Sequence, residues 1–151
     1  MADIDRVADQ ALDAGITIAV AESLTCGLLA STIGKAHDAG TWFAGGVVAY
    51  QTPTKQSVLG LAEGTDPVSP ESAEQLADAV RGLMDADVGV SVTGVGGPGP
   101  EGGHAPGTVY VGWSADGTKG NRLLTLSGQP EDILEASVEA AVSALVELTT
   151  R

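Results

Sequence analysis

A chain of 151 residues with 43% hydrophobic and 18% charged side chains has the size and composition of one folded domain, and it is too apolar for disorder. Its 20 acidic residues against 7 basic ones give a net charge of −13, which repels phosphate backbones and excludes nucleic-acid binding through a general basic surface. One cysteine and two histidines exclude an internal disulfide and argue against a four-ligand metal site.

The lysines are only three, Lys35, Lys55 and Lys119, and an acidic, lysine-poor surface suits a protein kept soluble at high salt. The first residues carry neither a basic leader nor an apolar one, and no run approaches the ~18 apolar residues of a membrane span. A cytoplasmic protein that spans no membrane is expected. The glycine content, 21 residues, is about twice the usual share and predicts tight turns or backbone-lined sites.

In chain order, Ile4, Val7, Ala8, Ala11 and Leu12 form one helical stripe over 4–14, with Gly15 as its stop. The apolar run 16–21 reads as a buried strand, 25–33 as a helix, 45–50 as a second strand and 53–59 as a short helix. Ser69 and Pro70 are an N-cap and first helical residue for a helix running to about residue 84. A third strand follows at 88–93. Segments 107–113 and 122–126 read as strands, with a hairpin signal at Asp116-Gly117. Pro130 opens a last helix. Strand–helix alternation followed by a hairpin predicts a three-layer α/β/α sandwich on a mixed, mainly parallel five-stranded sheet, in one domain over 1–151.

Ligands of open α/β sheets bind beyond the carboxyl ends of the strands. Three segments fall there: 21–27, 50–55 and 93–100. Ser23 stands at a strand-to-helix junction, where it is either an N-cap or a nucleophile beside free backbone N–H groups. Lys55 is either a solvated lysine or a desolvated general base, and Tyr50 is either a strand-end filler or a proton relay. Gly94-x-Gly96-x-x-Gly99 has the spacing of a dinucleotide fingerprint, but Pro98, Pro100 and Pro106 lead into a strand rather than the required helix. What remains is a backbone-rich loop that approaches a ligand closely or a long structural turn. His104 reads as exposed and uninvolved, Cys26 as a small filler or a reactive thiol.

Four ordered motifs resemble the CinA C-terminal domain family, the PncC-like nicotinamide-nucleotide amidohydrolases. They are Ala21-Glu22-Ser23-x-Thr25-x-Gly27, Gly45-Gly46-Val47-Val48-Ala49-Tyr50 with Lys55, Thr93-Gly94-x-x-Gly97-Pro98-Gly99, and Gly107-Thr108-Val109-Tyr110. The resemblance runs over about 4–150. It implies deamidation of nicotinamide mononucleotide to nicotinate mononucleotide and ammonia, with no metal and no cofactor, in a homo-oligomer. By that likeness Ser23 is the nucleophile, Lys55 its base and Tyr50 an assistant in proton transfer. The same likeness implies that Thr25 and Gly27, with Thr93, Gly94, Gly97, Pro98 and Gly99, hold the nucleotide. The Lys55 amine is then expected to be buried and within hydrogen-bond reach of Ser23 Oγ (~2.6–3.2 Å). The chain departs from the family pattern at Leu24 and Cys26, at Gln51-Thr52, and at Pro130 and Leu134, where the family carries arginines. A stand-alone form, without the larger domain of full CinA proteins, is expected. A nucleotide-binding module without catalysis is the alternative.

Overall fold

The computed structural model describes residues 2–150. In chain order its elements are α1 (Ala2–Ala14), β1 (Ile18–Glu22), α2 (Leu28–Gly34), α3 (Ala39–Trp42), β2 (Phe43–Val48), α4 (Thr52–Leu59), α5 (Pro70–Leu83), β3 (Val88–Gly94), β4 (Thr108–Ala115), β5 (Thr118–Thr125) and α6 (Pro130–Thr149). The strands form one sheet in the order β2-β1-β3-β4-β5. β1 pairs in parallel with β2 and β3, while β4 is antiparallel to both β3 and β5. Four of the five strands therefore point the same way and β4 alone is reversed. The mixed sheet is the expected one.

Pleating sends alternate side chains of each strand to opposite faces. Ile18, Val20, Val88, Val90, Val92, Val109 and Val111 face α1, α2, α3 and α6, where Leu29, Ile33, Trp42, Val138, Val142 and Leu145 complete one core. On the other face Ala19 and Ala21 meet Leu59, Leu61, Leu76 and Val80 of the α4–α5 layer. Here the helix lies at backbone distance. A Cβ at Gly89 would sit 2.2 Å from the Ala77 carbonyl oxygen, and one at Gly112 would sit 2.2 Å from that of Ala73. Ser91 Oγ closes the contact by donating to Ala73 O at 2.6 Å.

Several boundaries move from their expected places for local reasons. α2 begins at Leu28, not Thr25, because residues 23–27 form a turn in which Cys26 (φ 47°) and Gly27 (φ 97°) are left-handed. β1 runs on through Glu22, whose carboxylate finds backbone partners in the next helix. β2 covers 43–48, so Ala49 and Tyr50 lie beyond it. The hairpin has Asp116 at φ 47° and Gly117 at φ 74°, a two-residue turn that starts β5 directly at Thr118. The four-residue α3 carried no sequence signal long enough to register.

Candidate active site

Sheet order reverses at β1, which lies between the next two strands in sequence, so the carboxyl ends of β1, β2 and β3 open a crevice at a switch point. A cavity of about 300 Å³ sits there. Six of the expected site residues, Ser23, Tyr50, Lys55, Thr93, Gly94 and Gly97, line it. Thr25, Gly27, Pro98 and Gly99 do not line it. Thr25 is buried with an unpartnered hydroxyl, Gly27 caps α2, and Pro98 and Gly99 are at the surface.

Ser23 follows β1 directly and stays tied to the sheet through its N–H, which donates to Val92 O at 3.0 Å. Strand alternation places Glu22 and Ser23 on opposite faces. Glu22 is buried and accepts the N–H groups of Leu29 at 2.8 Å and Ala30 at 2.9 Å through its two carboxylate oxygens. The positive end of α2 is thus neutralised by the chain's own carboxylate and is not open to an oxyanion, contrary to expectation. The backbone N–H groups of Leu24, Gly96 and Gly97 belong to cavity-lining residues and have no hydrogen-bond acceptor among the described residues. The N–H groups of Tyr50 and Thr52, also lining residues, are likewise without an acceptor among the described residues.

Lys55 stands in the first turn of α4 and is only 3% exposed. Burial pushes its ammonium below the ordinary lysine range, while the Glu101 carboxylate pulls it upward. Its Nζ donates to the carbonyl oxygen of Tyr50 at 2.9 Å. The expected hydrogen bond to Ser23 Oγ is not made; the Tyr50 carbonyl holds the amine instead. The Tyr50 side chain is 63% exposed at the mouth. Thr93 Oγ1 donates to Pro67 O at 2.6 Å, which spends its proton on holding the α4–α5 connection and leaves only its lone pairs for a ligand.

Eight lining residues were not among the expected site residues. Leu24, Thr52, Pro67, Val68 and Gly96 are ordinary residues brought in by the fold. Pro130 and Leu134, the two positions at which the family pattern carries arginine, form an apolar wall from the start of α6. Glu101 is the cavity's one carboxylate. His104, read as uninvolved, fixes the loop that carries it: its Nε2 lies 2.7 Å from Asp66 Oδ2. Among the described residues no group of three or more histidine, cysteine, aspartate or glutamate side chains is placed to hold a metal ion.

The crevice of a mixed α/β sheet, with a serine and a buried lysine on its walls, defines an α/β domain with one cavity at its switch point. The CinA C-terminal domain model matches residues 3–149, and the chain belongs to that family. It is 49% identical over 107 residues to a Bacillus velezensis protein named "Putative competence-damage inducible protein", covering 68% of this chain and 26% of that one. A Geobacillus kaustophilus protein of the same name is 44% identical over 124 residues, covering 79% and 30%. The chain thus spans under a third of the length of these relatives. Among solved structures, the CinA superfamily protein from Escherichia coli superposes with a TM-score of 0.93 at 28% identity, over 97% of this chain and 88% of that one. One from Enterobacter cloacae gives 0.94 at 27%, over 98% and 90%. No described helix is long and apolar enough to cross a membrane.

Proposed function

We propose that the chain is an amidohydrolase that deamidates nicotinamide mononucleotide to nicotinate mononucleotide and ammonia, with Ser23 as nucleophile and Lys55 as base. The observation that carries the reading is a lysine 3% exposed, its pKa lowered by burial, on the wall of the cavity that Ser23 also lines. A neutral amine keeps a lone pair while donating one N–H to Tyr50 O, so this anchor orients the base without consuming it.

In the first half-reaction Ser23 Oγ bonds to the carboxamide carbon as its proton passes to Lys55 Nζ. The developing oxyanion takes hydrogen bonds from the free N–H groups of Leu24, Gly96 and Gly97. Lys55 returns the proton to the amide nitrogen, the C–N bond breaks and ammonia leaves. Water then attacks the Ser23 ester as Lys55 takes its proton; the ester bond breaks, and Lys55 passes that proton to Ser23 Oγ, giving the acid, free serine and a neutral lysine again.

Ammonia release from nicotinamide mononucleotide by the purified protein tests the reading, with Ser23→Ala as control. The wild type should turn over, and the variant should lose about 1000-fold or more in kcat with its fold intact. A variant that keeps a large share of the activity removes Ser23 as nucleophile. The unmade Ser23–Lys55 hydrogen bond favours one second reading, a nucleotide-binding module without turnover. Binding without ammonia release would establish that alternative.

A further inference from the structure

Glu101 has no role in the chemistry above; it is exposed at the rim of the cavity, and the backbone that carries it is held in place. It stands at one end of a miniature hairpin in the long 95–107 connection. Its N–H donates to His104 O at 3.1 Å, and the His104 N–H donates to Glu101 O at 2.8 Å. His104 is latched across the mouth by the 2.7 Å contact to Asp66 Oδ2. Asp66 is itself fixed: its Oδ1 accepts the Val68 N–H at 2.9 Å and its carbonyl accepts the Ser69 hydroxyl at 2.6 Å. The two rims of the cavity, Glu101 on one side and Pro67–Val68 on the other, are thereby joined. The Glu101 carboxylate makes no ion pair and no hydrogen bond with any described residue, and its field reaches Lys55.

Charge in the cavity decides what this carboxylate does. Among the lining residues Lys55 is the one basic side chain and Glu101 the one acidic side chain. A lysine that acts as a base is neutral in the working state, so the working cavity holds one uncompensated negative charge. Pro130 and Leu134 add no countercharge from α6. A ligand with a positive charge beside its amide is complementary to that state, and a neutral ring is not.

We infer that Glu101 is a specificity-determining residue that selects a carboxamide borne on a cationic ring, a quaternised pyridinium, over the same carboxamide on a neutral ring. This rests on the amidohydrolase reading for its substrate class, and it names the part of the substrate that is recognised.

Calorimetric titration compares 1-methylnicotinamide, a pyridinium cation, with neutral nicotinamide. It is made on the Ser23→Ala chain, so that neither is turned over, with and without Glu101→Gln. The cation should bind about fivefold or more tighter than the neutral ring at low salt. Glu101→Gln should remove the difference by weakening the cation alone, at an unchanged Tm. Equal affinities in the Ser23→Ala chain, failure of both rings to bind, or a preference that survives Glu101→Gln would each overturn the inference. Ammonia release by the wild type separates the two claims. A charge preference without ammonia release removes the amidohydrolase and leaves the selector, and ammonia release without the preference does the reverse.

Discussion

The Lys55 amine is moored to the carbonyl oxygen of Tyr50, 2.9 Å away and five residues back in the chain. A neutral acceptor satisfies one N–H without the strong pull toward the charged form that a carboxylate would exert at the same distance. The mooring is therefore compatible with a deprotonated lysine, whereas an ion pair would not be.

Lys55→Arg and Lys55→Met should both be inactive, for opposite reasons. Guanidinium keeps the charge but cannot deprotonate at a workable pH, and Met keeps the bulk but has no lone pair basic enough to take the proton. Lys55→Met should lose no stability near neutral pH and gain up to about 1 kcal/mol, because a buried, functionally strained group is removed. Urea unfolding alongside the ammonia assay checks both. An active arginine variant would end the role of Lys55 as base.

The pH dependence follows from the lowered pKa of Lys55. Activity needs the neutral amine, so kcat/KM should rise with pH through the folded-state pKa. Glu101→Gln removes the one influence that raises it, so the rise should move to lower pH in that variant. Stability has the same direction. Between the lowered folded pKa and the ordinary value of 10.5, the unfolded chain holds the proton and the folded chain does not. The Lys55 contribution to stability is therefore least favourable below the folded pKa and improves as pH rises across that window. A kcat/KM profile that falls over the same range, or one that Glu101→Gln leaves in place, would contradict this.

Glu22→Gln tests the tie between β1 and α2. The carboxylate accepts two N–H groups, and an amide turns one acceptor into a donor facing a donor. The cost should be about 2 kcal/mol in denaturant unfolding, accompanied by a lower kcat because the Ser23–Gly27 turn loses its far anchor. A loss below about 0.5 kcal/mol would mean that the end of α2 is held by other contacts.

Leu134→Arg places a cation on the apolar wall of the cavity. KM for nicotinamide mononucleotide should fall about fivefold at low salt with kcat little changed, and the gain should fade as salt is added. A KM that does not move would put the substrate phosphate away from α6.

The parts of the fold that were legible in the sequence are those with local causes. The stripe Ile4-Val7-Ala8-Ala11, the Ser69-Pro70 helix start and the Asp116-Gly117 turn each carry their physics within a few residues. The meeting of Ser23, Tyr50, Lys55 and Thr93 was legible as well, because strand ends that precede polar residues converge once β1, β2 and β3 are neighbours. What escaped depends on distant partners. Nothing next to Glu22 in the chain marks it as a cap, and only the N–H groups of Leu29 and Ala30 make it a buried one. His104 and Asp66 are 38 residues apart, and nothing near either one announces the other. The pairing of Lys55 with a carbonyl rather than with Ser23 is a matter of ångströms, which spacing along a chain does not encode.

The contact of α5 with the sheet has a bearing on how this cleft could change its diet. Gly89 and Gly112 let the helix backbone settle against β3 and β4, and the Pro67–Val68 rim hangs from the start of that helix. The width of the crevice is consequently set by two positions that never meet a ligand. Side chains around the mouth are free to be exchanged, as Pro130 and Leu134 illustrate, while the gap they decorate stays constant. A single methyl group at either glycine would lift the helix and reshape the opening for every substrate at once. Retuning for a new ligand should therefore run through the rim, with these two glycines held fixed beneath it.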